Sequence, residues 1–302
     1  MPAPPAKLAG VLMLGVVAVS FASILIRWAN APALTVAFYR LLLAALFFWI
    51  TQGRAVWPAL RRASLQLMGF IALSGVALAV HFAAWISSLS MTSVASSVVL
   101  VTTTPIWVAV GTRFVLREPV RLPFIGGLLI AMAGAILLSG IDASVGGDSL
   151  RGDVLATIGA MAAAVYLLIG RRVQREVDTW AYVTAMYSIA AVTLLFWALL
   201  ASAPLSGYPW QTYGFFALIA LVPQVIGHTS FNWALKHLSA PMVSVTLLGE
   251  PVGATVLAYF LLNEKLGWLK IFAAALTLGG VLMAAASEKL LQAKIDKSKV
   301  ES

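Results

Sequence analysis

The stretches Leu116-Arg-Glu-Pro-Val-Arg-Leu122 and Leu262-Asn-Glu-Lys-Leu-Gly-Trp268 decide how this chain is read. Each follows a long apolar run interrupted by one central proline, and each precedes an apolar run rich in Gly and Ala. The register extends beyond the motif: Pro105 pairs with Pro251, Glu118 with Glu264 and Gly134 with Gly280, each pair 146 residues apart. An almost wholly apolar chain with an internal repeat points to a membrane protein of two related halves, the plan in which transporters set a binding site between repeats.

Composition supports the same class. Hydrophobic residues make up 61% of 302 positions, charged residues 10%, and mean hydropathy is +0.96, far above a water-soluble domain of this length. The chain has no cysteine, which excludes disulfides, thiol catalysis and thiolate metal sites. Apolar runs long enough to cross a hydrocarbon core of about 30 Å occur at ten places, near 8–26, 32–50, 65–87, 95–115, 123–140, 153–170, 179–201, 212–235, 241–262 and 267–286. They are numbered here as spans 1 to 10. The first begins behind Lys7 and is followed by further spans, so a retained helix is expected in place of a cleaved signal peptide. The expected fold is all-α with ten transmembrane helices, divided into a first half at 1–150, a second half at 151–287 and a basic cytoplasmic tail at 288–302.

Charge sets the expected orientation. With the N-terminus inside, one side of the membrane holds Lys7, Arg54, Arg61, Arg62, Arg113, Arg117, Arg121, Arg171, Arg172, Arg175, Lys236, Lys289, Lys294, Lys297 and Lys299. The other side holds Arg27, Arg151, Lys265 and Lys270, and Arg40 lies within a span. That bias of fifteen to four puts both termini in the cytoplasm, and a bacterial inner membrane is the expected location. The basic residues are spread over loops and not gathered on one face, so nucleic acid is not an expected partner.

Each half holds five spans, an odd number, so the second half enters the membrane from the opposite side and the repeats are inverted. In that plan the site lies near mid-membrane between the halves, and one half rocks against the other. Three groups of residues carry a resemblance to a known family. They are Phe38-Tyr-Arg-Leu-Leu-Leu-Ala44; Thr104-Pro-Ile-Trp107 with Leu116-Arg-Glu118; and Gly249-Glu-Pro-Val252 with Leu262-Asn-Glu-Lys265. They match an Arg-led second helix and the paired Pro-then-Glu hallmarks, and over residues 8 to 286 the chain resembles the ten-helix EamA-type members of the drug/metabolite transporter superfamily. The resemblance implies export of small metabolites, amino acids or drugs without a cofactor. Among such members the chain looks most like the aromatic amino-acid exporters.

Away from their ends, the spans contain two charged residues, Arg40 and Glu250. A charge in hydrocarbon is costly and belongs in the bundle interior or against water. The two could hold the ends of a zwitterion; alternatively Arg40 bonds backbone carbonyls or snorkels outward, and Glu250 is a structural tie. Gln224, His228 and Asn232 recur every four residues and form a polar stripe on span 8, answered on span 3 by Ser74, His81, Trp85 and Ser88. Either histidine could relay a proton, donate to a substrate, or simply join helices. On span 9, Thr246, Glu250 and Gly253 share a face that the repeat maps onto Leu100, Thr104 and Trp107, so Trp107 is expected to face Glu250 as a cavity wall. Tyr39, Trp85 and Tyr166 are further aromatic candidates, the alternative being packing against neighbours or lipid. Pro105, Pro223 and Pro251 should kink spans 4, 8 and 9.

Enzymatic signatures are missing: the chain has no Walker loop, dinucleotide fingerprint, zinc-protease helix or nucleophile elbow. Its three histidines include the pair His81 and His228, whose spacing reflects the repeat and not a metal site. The expectation is therefore a transporter embedded in the lipid bilayer that takes small-molecule substrates, with no cofactor and no metal. A multidrug exporter of the same fold and a membrane-embedded enzyme remain as alternatives, and a monomer is compatible with the sequence.

Overall fold

A computed structural model describes residues 4–92, 94–140, 150–262 and 267–300. Among the described residues nine helices are long and apolar enough to cross a membrane, and a tenth apolar helix occupies Leu122–Gly140. The protein is a multi-pass, all-helical membrane protein.

Several expected spans are not continuous helices, and the reasons are local. Span 1 is two helices, Pro5–Ser20 and Ala22–Ala29, with a turn at Phe21 that the sequence does not signal. Span 4 is split into Val94–Val101 and Thr104–Phe114. Pro105 is the second residue of the latter, and without an N–H it cannot continue the ladder. The Thr104 hydroxyl satisfies the Val101 carbonyl this frees, at 2.8 Å, and the Thr102 and Thr103 hydroxyls donate to Val99 and Leu100 at 2.8 and 2.6 Å. Span 9 repeats the device. It is split into Ala240–Thr246 and Gly249–Leu262, with Pro251 just inside the second piece and the Ser244 and Thr246 hydroxyls on the Pro241 and Val243 carbonyls at 2.7 and 2.6 Å. Span 8 widens to a π-helix over Ala220–His228, which contains Pro223, between α-helices Trp210–Ile219 and Thr229–Ala234.

The unbroken spans are Ala33–Arg62, Leu65–Met91, Leu150–Val173 and Thr179–Leu200 (spans 2, 3, 6 and 7). Three helices on the basic side start with side-chain caps. Ser64 accepts from Leu67 N–H at 3.2 Å, Asp178 from Trp180 N–H at 3.0 Å and Ser239 from Met242 N–H at 3.2 Å. Arg117 adopts φ +56° just after Thr104–Phe114, so the chain turns in the left-handed region, and Glu118 N–H bonds back to the Thr112 carbonyl at 3.0 Å. Span 10 begins the helix Trp268–Val300, which carries on through the basic tail. Of the second repeat motif, residues 263–266, including Glu264 and Lys265, lie outside the described residues.

Packing follows the repeat. Span 3 lies against span 6 and span 8 against span 1, the equivalent pair; span 2 packs on span 7 and span 5 on span 10, each against its own counterpart. The last interface shows the symmetry at single residues. A Cβ on Gly134 would lie 2.5 Å from Thr277 N and 2.7 Å from the Ala273 carbonyl oxygen. Shifting these residues by the 146-residue register gives Gly280 against Ala131 and Gly127, and a Cβ on Gly280 would meet the Ala131 backbone and lie 2.6 Å from the Gly127 oxygen. Two glycines related by the repeat therefore let the two helix backbones touch, as small residues do in lipid.

Candidate functional site

The site is a cavity of about 840 Å³, including its mouth, between the two halves. Span 1 contributes residues between Val19 and Ser23, span 2 Arg40, span 3 His81 and Trp85, and span 4 residues between Val98 and Pro105. From the second half come Ala163 and Tyr166 of span 6, His228 of span 8, and residues between Ser244 and Ala254 of span 9. The broken helices of spans 4 and 9 thus both line it, which is where non-helical backbone is tolerated at membrane depth.

Arg40 is fully buried. Its Nε donates to Gln224 Oε1 at 2.6 Å and its guanidinium lies 4.0 Å from the centroid of the Phe82 ring. It does not snorkel. Glu250 lines the same cavity and its main-chain carbonyl accepts from Ser20 Oγ at 3.2 Å, yet among the described residues no ion pair joins Arg40 to Glu250. One buried cation and one carboxylate therefore share a cavity without neutralising each other by contact.

Aromatic rings enclose the charges. His81 is stacked on Trp85 with centroids 6.0 Å apart and an interplanar angle of 9°, and its Nδ1 contacts the Gly159 carbonyl at 2.9 Å. Tyr166 O–H and His228 Nδ1 are 3.4 Å apart, and the Phe82 ring meets His228 edge-on at 5.3 Å. Thr104 completes the wall from span 4. So Arg40, His81, Trp85, Thr104, Tyr166, His228 and Glu250 come together as sequence reasoning grouped them, with Pro105 and Pro251 at the edge of the helix breaks.

Other candidates lie outside this lining. Gln224 is buried behind Arg40 and holds it, while Asn232 donates from Nδ2 to the His228 carbonyl at 2.8 Å. Of the polar stripe on span 8, His228 alone is in the cavity lining. Thr246 spends its hydroxyl on Val243. Trp107 is not in the cavity lining, and its Nε1 donates one turn back to Thr103 Oγ1 at 3.2 Å. Tyr39 stacks on Phe216 at 4.6 Å and donates to the Leu205 carbonyl at 2.7 Å, so it packs spans 2 and 8 under the 201–209 loop. Phe82, the platform beneath Arg40, was missed; adjacency to His81 is the only sequence signal for it. Among the described residues no cluster of three or more His, Asp or Glu is placed to hold a metal.

The cavity lies near the middle of the bundle: its residues sit toward Ala29 in span 1, toward Met91 in span 3 and toward Val94 in span 4, whereas Tyr166, His228 and Ser244 sit toward the basic ends of spans 6, 8 and 9. At the basic end an ion pair joins the halves, Arg175 Nη2 meeting Glu118 Oε1 at 2.8 Å.

A two-fold repeat of five spans around a central cavity is matched by one protein family over residues 7–140 and again over 150–286. The chain belongs to the EamA-like transporter family. An uncharacterized transporter of Archaeoglobus fulgidus is 24% identical over 276 residues, covering 89% of this chain and 93% of its own. The uncharacterized transporter YyaM of Bacillus subtilis is 25% identical over 201 residues, covering 65% of this chain and 66% of its own. A solved crystal structure superposes on this EamA-like transporter with a TM-score of 0.78, covering 95% of this chain and 99% of that one; at 18% identity it speaks for the fold alone. The superfamily resemblance drawn from the Pro-then-Glu motifs therefore stands, and the protein is a membrane transporter.

Proposed function

We propose that this EamA-like transporter exports small amphipathic metabolites, amino acids including aromatic ones foremost, from the cytoplasm across a bacterial inner membrane by alternating access. The observation that carries the reading is the pairing of a buried guanidinium at Arg40 with a carboxylate at Glu250 in one aromatic-walled cavity, the two making no ion pair with each other. A zwitterion with an apolar or aromatic side chain complements such a cavity at both charged ends and along its rings. The distribution of basic residues supports cytoplasmic termini.

Counterflow in proteoliposomes tests the reading. Vesicles preloaded with unlabelled phenylalanine should accumulate labelled phenylalanine transiently, chemically unchanged. Accumulation of lipophilic cations with none of amino acids would assign the transporter to drugs instead.

A further inference from the structure

Two hydrogen-bond donors in the cavity lining have no acceptor in the protein: Arg40 Nη1 and Trp85 Nε1. Arg40 is fully buried and Trp85 is 7% exposed. Buried donors almost always find partners, and a guanidinium carries five N–H groups in a fixed fork. Here the fork is held from behind. Nε is bound to Gln224 Oε1 at 2.6 Å, and the guanidinium lies over the Phe82 ring at 4.0 Å. The side chain is thus locked in place while one of its terminal nitrogens stays unpaired beside the cavity. Trp85 is held similarly, stacked on His81, with its N–H unpaired.

Charge and geometry select the acceptor. A planar cation with a free Nη matches a carboxylate, whose two oxygens accept from a guanidinium better than any neutral carbonyl. The cavity's own carboxylate, Glu250, makes no ion pair with Arg40. We infer that Arg40 is the specificity-determining residue for the substrate's carboxylate, with Gln224 as its positioning residue, and that the transporter therefore selects free acids over the corresponding amides and decarboxylated amines. This inference rests on the amino-acid reading above and sharpens it: the headgroup, not the side chain, is the feature recognised by a fixed charge. A site built around a buried polar group discriminates strongly, because an analogue lacking the partner leaves that group unpaired.

The test uses the full-length protein in proteoliposomes, with phenylalanine, phenylalaninamide and phenethylamine as competitors of labelled phenylalanine counterflow. The wild-type protein should favour the acid over the amide by roughly 10-fold or more, the lower end expected for a charge-assisted bond. Arg40→Gln should bring that ratio toward one. Arg40→Lys should restore part of it, since a point charge replaces the fork. Gln224→Leu should raise KM for the acid and leave inhibition by the amide unchanged, which a merely structural defect would not do. Equal competition by acid, amide and amine in the wild-type protein would overturn the carboxylate seat while leaving amino-acid transport intact. Absence of phenylalanine counterflow, with flux of other solutes, would instead overturn the underlying reading and this inference with it. Because the wild-type panel decides alone, failure of Arg40→Gln to fold leaves the inference open to refutation.

Discussion

Replacing Gly134 or Gly280 with alanine should weaken the interface between spans 5 and 10, and the two losses should not add. At Gly134 the new methyl would lie 2.5 Å from Thr277 N, against an ordinary contact of 3.4 Å or more, so the helix backbones must part by roughly 0.9 Å. A gap of that size forfeits a quarter to a half of each dispersion contact along the seam. Overpacking typically costs about 1–3 kcal/mol, offset by about 0.5–1 kcal/mol gained when alanine replaces a mid-helix glycine. A net loss of about 1–1.5 kcal/mol is expected for each single change. At Gly280 the obstruction is again backbone, with the Gly127 oxygen 2.6 Å from the added Cβ. Because the repeat puts both glycines on one seam, the first substitution already opens the space that the second needs. The double variant should therefore be no less stable than the worse single variant, a coupling of about 1–2 kcal/mol. Gly279→Ala is the internal control: nothing lies within 4 Å of its Cβ position, so it should not destabilise. Reversible unfolding in mixed micelles measures all four proteins. Single losses below about 0.5 kcal/mol, or a double loss equal to the combined single losses, would refute the seam.

Trp85→Ala should weaken apparent affinity for aromatic substrates by about 0.5–1.5 kcal/mol beyond lost area, whereas Trp107→Ala, whose indole is tied to Thr103 outside the cavity lining, should leave the aromatic preference unchanged; competition counterflow separates the two. The Arg175 and Glu118 side chains are 51% and 35% exposed, so a double-mutant cycle on their ion pair should give a coupling below about 1 kcal/mol that fades in molar salt, read from thermal melts. Reporter fusions after Ser302 should score as cytoplasmic, and a periplasmic signal would reverse the orientation derived from the basic loops.

The sequence alone determined the class and the two-fold repeat, and marked Arg40, His81, Trp85, Tyr166, His228 and Glu250 as candidates for one cavity, because hydropathy and the cost of intramembrane charge act residue by residue. Tertiary structure decided which neighbours actually reach the cavity. A face extrapolated from periodicity does not say which of its members meet another helix, so Trp107 bonds Thr103, Gln224 holds Arg40 and Asn232 bonds the His228 carbonyl, all outside the cavity lining. The platform of Phe82 beneath Arg40, the support from Gln224 and the seam from Gly134 to Gly280 are contacts between different spans. Composition and periodicity mark which side chains must avoid lipid; only packing fixes which of them meet, because that depends on the relative rotation of helices whose breaks are set by local backbone chemistry.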